Sequence, residues 1–181
     1  MSPKSVNPVS LAGRAEWLER EDLQRLLAAL GEGGEEARIA GGAVRNALLG
    51  ETVSDIDIAT TILPDETERR AQAAGFRTVP TGKEHGTITV ISDREAFEVT
   101  TLRADVETDG RRASVVFGRD WKRDAERRDF TINALYVTAA GEVIDLVGGL
   151  ADLDSRTLRF IGDAEARIRE DYLRILRFFR F

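Results

Sequence analysis

Cysteine is absent from this 181-residue chain, and histidine occurs once, at His85. Disulfides, thiolate metal sites and zinc sites built on several histidines are therefore excluded. Any metal must be held by carboxylates, which favours magnesium or manganese. Long apolar runs are lacking too. Nothing approaches a membrane span, and MSPKSVNPVSLAGRAEW at the N-terminus has no apolar stretch of signal-peptide length. The expected setting is cytoplasmic, with no membrane partner. An excess of positive charge is also missing: the formal net charge is −6, which on average argues against nucleic-acid binding. The average hides a pattern, because residues 111–128 and 156–181 are rich in arginine. Local basic patches count for more in phosphate binding than the total does.

What is present suits a globular protein. Hydrophobic residues make up 42% and charged residues 32%, with length enough for one domain and the start of a second. Residues 1–13, with their prolines and serines, read as a flexible N-terminus. Over 14–30, Trp17, Leu23, Leu26, Leu27 and Leu30 recur at helical spacing until GEGGEE stops the helix. RIAGG reads as a strand entering a Gly-Gly turn, and AVRNALLG as a helix closed by Gly50. SDIDIATTI has the period of a strand, and PDETERRAQAAG the acidic start and glycine end of a helix. FRTVPTGK, GTITVIS and AFEVTTLR read as three more strands. Residues 103–123 are polar, basic and aperiodic, the composition of a long mobile loop. AERRDFTINALYV reads as a helix running into a strand, and EVIDLVGG as a strand end with a glycine turn. Residues 163–181 read as one helix with Ile168, Leu173, Leu176 and Phe179 on its apolar side.

The chemistry centres on Gly41-Gly42-Ala43-Val44-Arg45-Asn46, followed closely by Asp55-Ile56-Asp57. Residues two apart on a strand share a face. Asp55 and Asp57 can thus aim two carboxylates at one point while Ile56 and Ile58 enter the core. Two such carboxylates repel each other unless a cation sits between them. A pair of divalent ions resolves this and serves phosphoryl transfer to a hydroxyl. The Gly-Gly turn before a helix lets backbone N–H groups approach a phosphate, and Arg45 can add a charge-assisted contact. Glu98, between Phe97 and Val99 on its strand, either faces solvent or completes the site as a third carboxylate. An isolated D-x-D is commonly a solvated strand edge. Its succession to Gly-Gly on a strand–turn–helix–strand unit favours the site.

GGAVRN, DID, RRDFTINAL, VGGLADL and EDYLRILRFFRF, in this order, resemble the class II tRNA nucleotidyltransferase and bacterial poly(A) polymerase family. The resemblance runs from about residue 38 to the end. It implies an α+β, polymerase-β-like nucleotidyltransferase head over residues 14–160, with one mixed or antiparallel sheet flanked by helices. Residues 161–181 would begin a helical neck. It implies Asp55 and Asp57 as ligands of a two-metal Mg²⁺ site, with Mn²⁺ as the substitute; Glu98 is the candidate third catalytic carboxylate from its strand position alone. The resemblance places Gly41, Gly42, Arg45, Arg128, Asp129, Asp171, Arg174, Arg177 and Arg180 at the nucleotide. Arg128 would contact the nucleotide, and Asp129 would read the ribose 2′-hydroxyl or orient Arg128. The family usually carries an acid where Asn46 stands, so Asn46 is given no catalytic role.

In the same resemblance Glu170-Asp171-Tyr172-Leu173-Arg174 matches a base-reading motif. On a continuous helix Asp171 and Arg174 share a face. Cytosine and adenine both carry an exocyclic amine that donates to a carboxylate, beside a ring nitrogen that accepts from a guanidinium. Uracil and guanine put a carbonyl there instead. The implied activity is template-independent addition of C and A to the 3′ end of tRNA, from CTP and ATP. The T-G-x-x-H-G-T run around His85 leans toward this branch; an ATP-only poly(A) polymerase is the alternative with the same chemistry. A non-catalytic nucleotide- or RNA-binding module is the alternative of another class. Family members are longer, with further helical regions that hold the tRNA. The apolar residues of YLRILRFFRF spread around more than one helix face. That predicts self-association through this helix, or poor behaviour of the chain alone, with weak tRNA binding.

Overall fold

The structure, a computed structural model, describes residues 9–104 and 116–181. The N-terminal residues 1–8, and 105–115 within the expected loop and arginine-rich stretch, lie outside the described residues.

The helices are α1 (Glu21–Leu30), α2 (Gly42–Leu49), α3 (Pro64–Ala73), α4 (Trp121–Glu126), α5 (Gly149–Asp154), α6 (Ala164–Glu170) and α7 (Leu173–Arg180). The strands are β1 (Ala37–Ala40), β2 (Asp57–Thr60), β3 (Arg77–Gly82), β4 (Thr87–Ile91), β5 (Ala96–Thr101), β6 (Arg103–Ala104), β7 (Val116–Phe117), β8 (Leu135–Val137) and β9 (Val143–Asp145). Seven of them form one mixed sheet in the order β3-β4-β5-β2-β1-β8-β9, and β6 pairs with β7 alone. Only β2 and β5 run parallel; the other neighbours are antiparallel. The mixed sheet flanked by helices is the architecture the sequence implied.

Alternation along the strands divides the core. Ile39, Ile58, Phe97, Val99, Leu135 and Val137 point into the main core, which Leu23, Leu26, Leu27 and Leu30 of α1 cover at i, i+3, i+4 and i+7 spacing. Ala40, Ala59 and Tyr136 point the other way, into a smaller cluster with Trp121 and Ala125 of α4. The alanines leave that face of the sheet low in its centre, and the cavity described below opens there.

The helix read over 14–30 breaks at Arg20, whose backbone is extended (φ −61°, ψ 132°) between a 3₁₀ turn, Glu16–Glu19, and α1. Arg20 is held there by ion pairs to Asp22 (2.7 Å) and Glu95. Residues 9–11, expected to be loose, dock along β9: Leu11 is buried, its N–H donates to the Gly141 carbonyl (2.8 Å), and Val143 donates to the Val9 carbonyl (2.9 Å). The loop read over 103–123 contains β6, β7 and the start of α4. The strand fragments are held beyond the end of β5 by Gly118 N–H donating to the Leu102 carbonyl (2.8 Å). Gly86, in the run around His85, has φ +87°, and a Cβ there would meet Phe117 at 2.6 Å. That glycine is needed for β7 to lie close.

The C-terminal helix is two helices. Asp171 has an extended backbone (φ −153°, ψ 105°) and separates α6 from α7. Its Oδ1 accepts the N–H of Leu173 at 2.9 Å, so it caps α7 rather than continuing α6. Most of the apolar side read on this helix faces out. Leu173, Leu176 and Phe179 are 64%, 68% and 82% exposed. The inward side carries Arg174, Arg177, Phe178 and Phe181. Phe178 stacks on Phe160 (5.8 Å, 5° between planes), and Phe130 touches Phe160, Phe178 and Phe181 at 4.8 to 6.1 Å. This aromatic cluster fastens α7 to the head.

Candidate functional site

The cavity has a volume of about 590 Å³ and is lined by every residue that the sequence marked as catalytic or nucleotide-binding. Five stretches far apart in the chain supply it: the Gly-Gly turn, the segment into β2, β5, the turn after α4, and α7. His85 is not among the lining residues; it is exposed, 3.6 Å from Glu84.

The carboxylates come from neighbouring strands. Asp57 lies in register with Ala40 on one side and Glu98 on the other, so Asp57 and Glu98 project side by side from the sheet. Glu98 lines the cavity and is also open to solvent. Asp55 precedes β2 instead of lying on it, yet the alternation persists: Ile56 and Ile58 are buried at 3% and 1%. The Ser54 hydroxyl donates to Asp55 at 2.9 Å. Asp57 is open to solvent at the cavity, yet the protein atoms crowded around it, and then the charge of Glu98, push its carboxyl above the usual range; Arg128 offsets part of this and Asp55 adds to it. Among the described residues neither Asp55 nor Asp57 is in an ion pair, and no group of three or more His, Cys, Asp or Glu is gathered closely enough to hold a metal unaided.

The Gly-Gly turn, which follows the register partner of Asp57, also lines the cavity. Gly41 has φ +71° and starts α2; a Cβ there would lie 3.3 Å from Arg128 Nη1 and 3.4 Å from the Asn133 carbonyl. Any other residue would be strained and would press on Arg128. Arg45 lines the cavity with its guanidinium held: Nη2 donates to Asn46 Oδ1 (2.8 Å), Nη1 to Asn133 Oδ1, and the group lies 4.4 Å over the Phe181 ring. Asn46 also donates from Nδ2 to the Thr52 carbonyl at 3.0 Å. An acid could accept from Arg45 but could not make that second bond. Burial lowers the Arg45 pKa, and Arg180 and Arg177 act in the same direction, against Glu51 and Asp129. The guanidiniums of Arg45, Arg177 and Arg180 thus converge on one part of the cavity.

The RRDF stretch is not helical. Helix α4 starts earlier than expected, at Trp121, and ends at Glu126. Phe130 is extended (φ −118°, ψ 147°) because residues 129–131 pair with 159–161 through Thr131 N–H to the Arg159 carbonyl (3.0 Å) and Ile161 N–H to the Asp129 carbonyl (2.9 Å). Asp129 does not orient Arg128. It accepts from Phe130 N–H (2.8 Å) and Asn133 (3.3 Å) and lies 2.9 Å from Arg177.

The residue that orients Arg128 is Asp124, 1% exposed, which sequence reading missed. It takes Arg127 at 2.5 Å, Arg128 at 3.3 Å and the Tyr136 hydroxyl at 2.8 Å. Burial opposes its charge, but Arg128 and Arg127 together hold the carboxyl below the usual range. Burial in turn raises Tyr136 well above an ordinary phenol, so it stays a donor. The signal was in the sequence: Asp124 stands four before Arg128, a helical pair, but the expected helix began one residue too late to include it. Asn133, four after Asp129, was also missed; it bridges Asp129 and Arg45.

Arg174 does not pair with Asp171. Its Nη1 donates to the Arg167 carbonyl and to Glu170, both at 2.7 Å, while Asp171 caps α7.

This fold is that of a nucleotidyltransferase head. The chain belongs to the poly(A) polymerase head domain family, whose model matches residues 37–159. It is 54% identical over 147 residues to the mitochondrial CCA tRNA nucleotidyltransferase 1 of Danio rerio, covering 81% of this chain and 34% of that protein. It resembles the crystal structure of the Bacillus stearothermophilus CCA-adding enzyme in complex with CTP, with a TM-score of 0.76 and 39% identity, over 90% of this chain and 39% of that one. It also resembles a tRNA nucleotidyltransferase complexed with a primer tRNA and an incoming ATP analogue (TM-score 0.70, 34% identity, 86% and 44% covered). The chain spans about a third of the length of the curated relatives it matches. Among the described residues no helix is long and apolar enough to cross a membrane.

Proposed function

We propose that the chain is the catalytic head of a template-independent RNA nucleotidyltransferase that adds C and A to the 3′ end of tRNA from CTP and ATP. The observation that carries this reading is the single cavity with Asp55, Asp57 and Glu98 on one wall and Arg45, Arg128, Arg174, Arg177 and Arg180 around it. Relatives named as CCA-adding enzymes, and one solved with CTP, support it.

The residues suit a magnesium ion. Mg²⁺ is typically held by one or two carboxylates plus substrate phosphates and water, without an all-protein cage. Asp57 is crowded by like charge, and Asp55 lies close by; a cation relieves that repulsion. Asp55 and Asp57 would hold the metal, with Mn²⁺ able to replace Mg²⁺. When bound, the metal supplies Lewis-acid activation of the attacking 3′-hydroxyl and neutralises charge on the triphosphate. The Gly41 N–H is taken by the Leu135 carbonyl (2.9 Å), so the backbone N–H groups offered to a phosphate are those of the N-terminus of α2, which Gly42 begins. Arg128, braced by Asp124, and the cluster of Arg45, Arg177 and Arg180 bind triphosphate and sugar. Asp129 and Asn133 offer polar atoms to the ribose.

Asp171 and Arg174 read the base edge. The partners of Arg174 engage Nη1, leaving the other edge of its guanidinium for the base, and the cap engages only Oδ1 of Asp171. Asparagine is as good a helix cap as aspartate, whereas alanine would lose about 1 kcal/mol of capping. Asp171→Asn is therefore expected to keep α7 and relax base choice, raising UTP and GTP incorporation relative to CTP and ATP. A parallel fall for all four nucleotides would make Asp171 structural only.

The overall reading is tested by offering each labelled nucleotide to tRNA lacking its 3′ end, at micromolar chain and low salt. CTP and ATP are expected to label it; labelling by ATP alone would assign the poly(A) reading. The outward stripe of Tyr172, Leu173, Leu176 and Phe179 is of the kind that packs against a partner. Light scattering is expected to show self-association, and a clean monomer would rule that out.

A further inference from the structure

We propose that Arg167, which does not line the cavity, is a positioning residue that fixes the orientation of Arg174 and so sets the choice of base. The inference rests on the functional reading above. Arg167 lies on α6 with its side chain 12% exposed. Its Nη2 donates to the carbonyls of Arg128 (2.6 Å) and Glu126 (3.1 Å), which close the turn after α4. Its Nη1 donates to Glu170 Oε2 at 2.8 Å. That same oxygen accepts Arg174 Nη1 at 2.7 Å, and the carbonyl of Arg167 accepts Arg174 Nη1 at 2.7 Å. Arg174 is therefore held by two acceptors, one belonging to Arg167 and the other oriented by it.

The arrangement links the two ends of the nucleotide site. The backbone of Arg128, on the head, is joined through the Arg167 guanidinium and Glu170 to Arg174, on the far side of the helix break at Asp171. The rest of α6 makes few other anchors: its residues are mostly exposed, and the Phe130–Phe160–Phe178 cluster grips only the distal end of α7. Without Arg167 the start of α7 would be free to pivot about that cluster. Burial works against the Glu170 charge, but the hydrogen bond from Arg174 and the charge of Arg167 bring its carboxyl below the usual range, so it remains an acceptor for both. A guanidinium can serve this purpose because its donors point in several directions in one plane. A lysine ammonium cannot reach both carbonyls and Glu170 in the same geometry.

The test compares Arg167→Lys and Arg167→Gln with the unaltered chain. Incorporation of each of the four nucleotides is measured, with KM and kcat separated, alongside thermal unfolding. Discrimination of CTP over UTP is expected to fall about tenfold in both variants, the effect of misplacing one charge-assisted hydrogen bond. The KM for CTP is expected to change less than the discrimination, because the Arg128 side chain keeps its brace on Asp124. Arg167→Lys is expected to unfold near the wild-type temperature, so its loss of discrimination separates positioning from folding. Equilibrium binding of CTP and UTP makes the same comparison without requiring transfer. Unchanged discrimination in both variants, or a parallel fall for all nucleotides, would overturn the inference alone. No preference for CTP over UTP in the unaltered chain would overturn the functional reading and the inference together.

Discussion

Asp57→Asn is expected to lower nucleotide transfer by a factor on the order of a thousand or more, while making the metal-free chain more stable to heat. The first effect follows from removing a ligand of a metal-supported step, which is worth several kcal/mol; Asp55→Ala should lose transfer to a similar extent with the fold intact. The second effect follows from the environment of Asp57. Crowding by protein atoms and the charge of Glu98, with a smaller addition from Asp55 and against Arg128, raise its folded-state pKa above the ordinary value. A carboxylate with a raised folded pKa binds its proton more tightly in the folded state. Its contribution therefore turns destabilising as pH rises through the ordinary carboxylate range, and stays so at neutral pH. Asparagine removes that charge. Thermal unfolding at pH 5 and pH 7 should show the gain growing with pH, and Mg²⁺ should stabilise the wild type more than the variant. Near-normal transfer by Asp57→Asn would remove Asp57 from the reaction.

Asp124→Asn is expected to cost about 2 kcal/mol of stability and at least about tenfold in nucleotide affinity. Breaking a buried ion pair from one side typically costs 3–5 kcal/mol. The figure here is smaller because the Arg127 and Arg128 side chains are 21% and 23% exposed and can recover some water. Asparagine keeps an acceptor for Tyr136 but loses the charge that braces Arg128. Denaturant titration gives the first quantity and calorimetry with CTP the second. A stability loss with unchanged affinity would show that Arg128 does not need its brace.

The parts of the site legible in the sequence are those whose chemistry sits in a local pattern. Gly41-Gly42 before a helix, and Asp55 and Asp57 alternating with Ile56 and Ile58, announce a turn and a face without tertiary knowledge. The alternation was read correctly even though hydrogen-bonded pairing begins only at Asp57. Arg177 and Arg180 were legible as a ladder for the same reason.

What was not legible depends on distant partners. Helical spacing shows that Leu173, Leu176 and Phe179 share a face but not which way it points; the aromatic cluster of Phe130, Phe160, Phe178 and Phe181, drawn from three stretches of chain, decides that. The break at Asp171 is similar. EDYLR has no glycine or proline to mark it, and the cap from Asp171 to Leu173, with Arg174 tied back to Arg167, favours two helices over one. RRDF looked helical by composition, but pairing with residues 159–161 makes it extended.

The central claim is that the cavity is a metal-dependent site for CTP and ATP. The most direct test is calorimetric titration of the chain with CTP, with and without Mg²⁺. The account predicts binding that strengthens by at least about tenfold when Mg²⁺ is present, because the triphosphate must otherwise approach unneutralised carboxylates. Absence of CTP binding in Mg²⁺, or equal affinity with and without the metal, would contradict it.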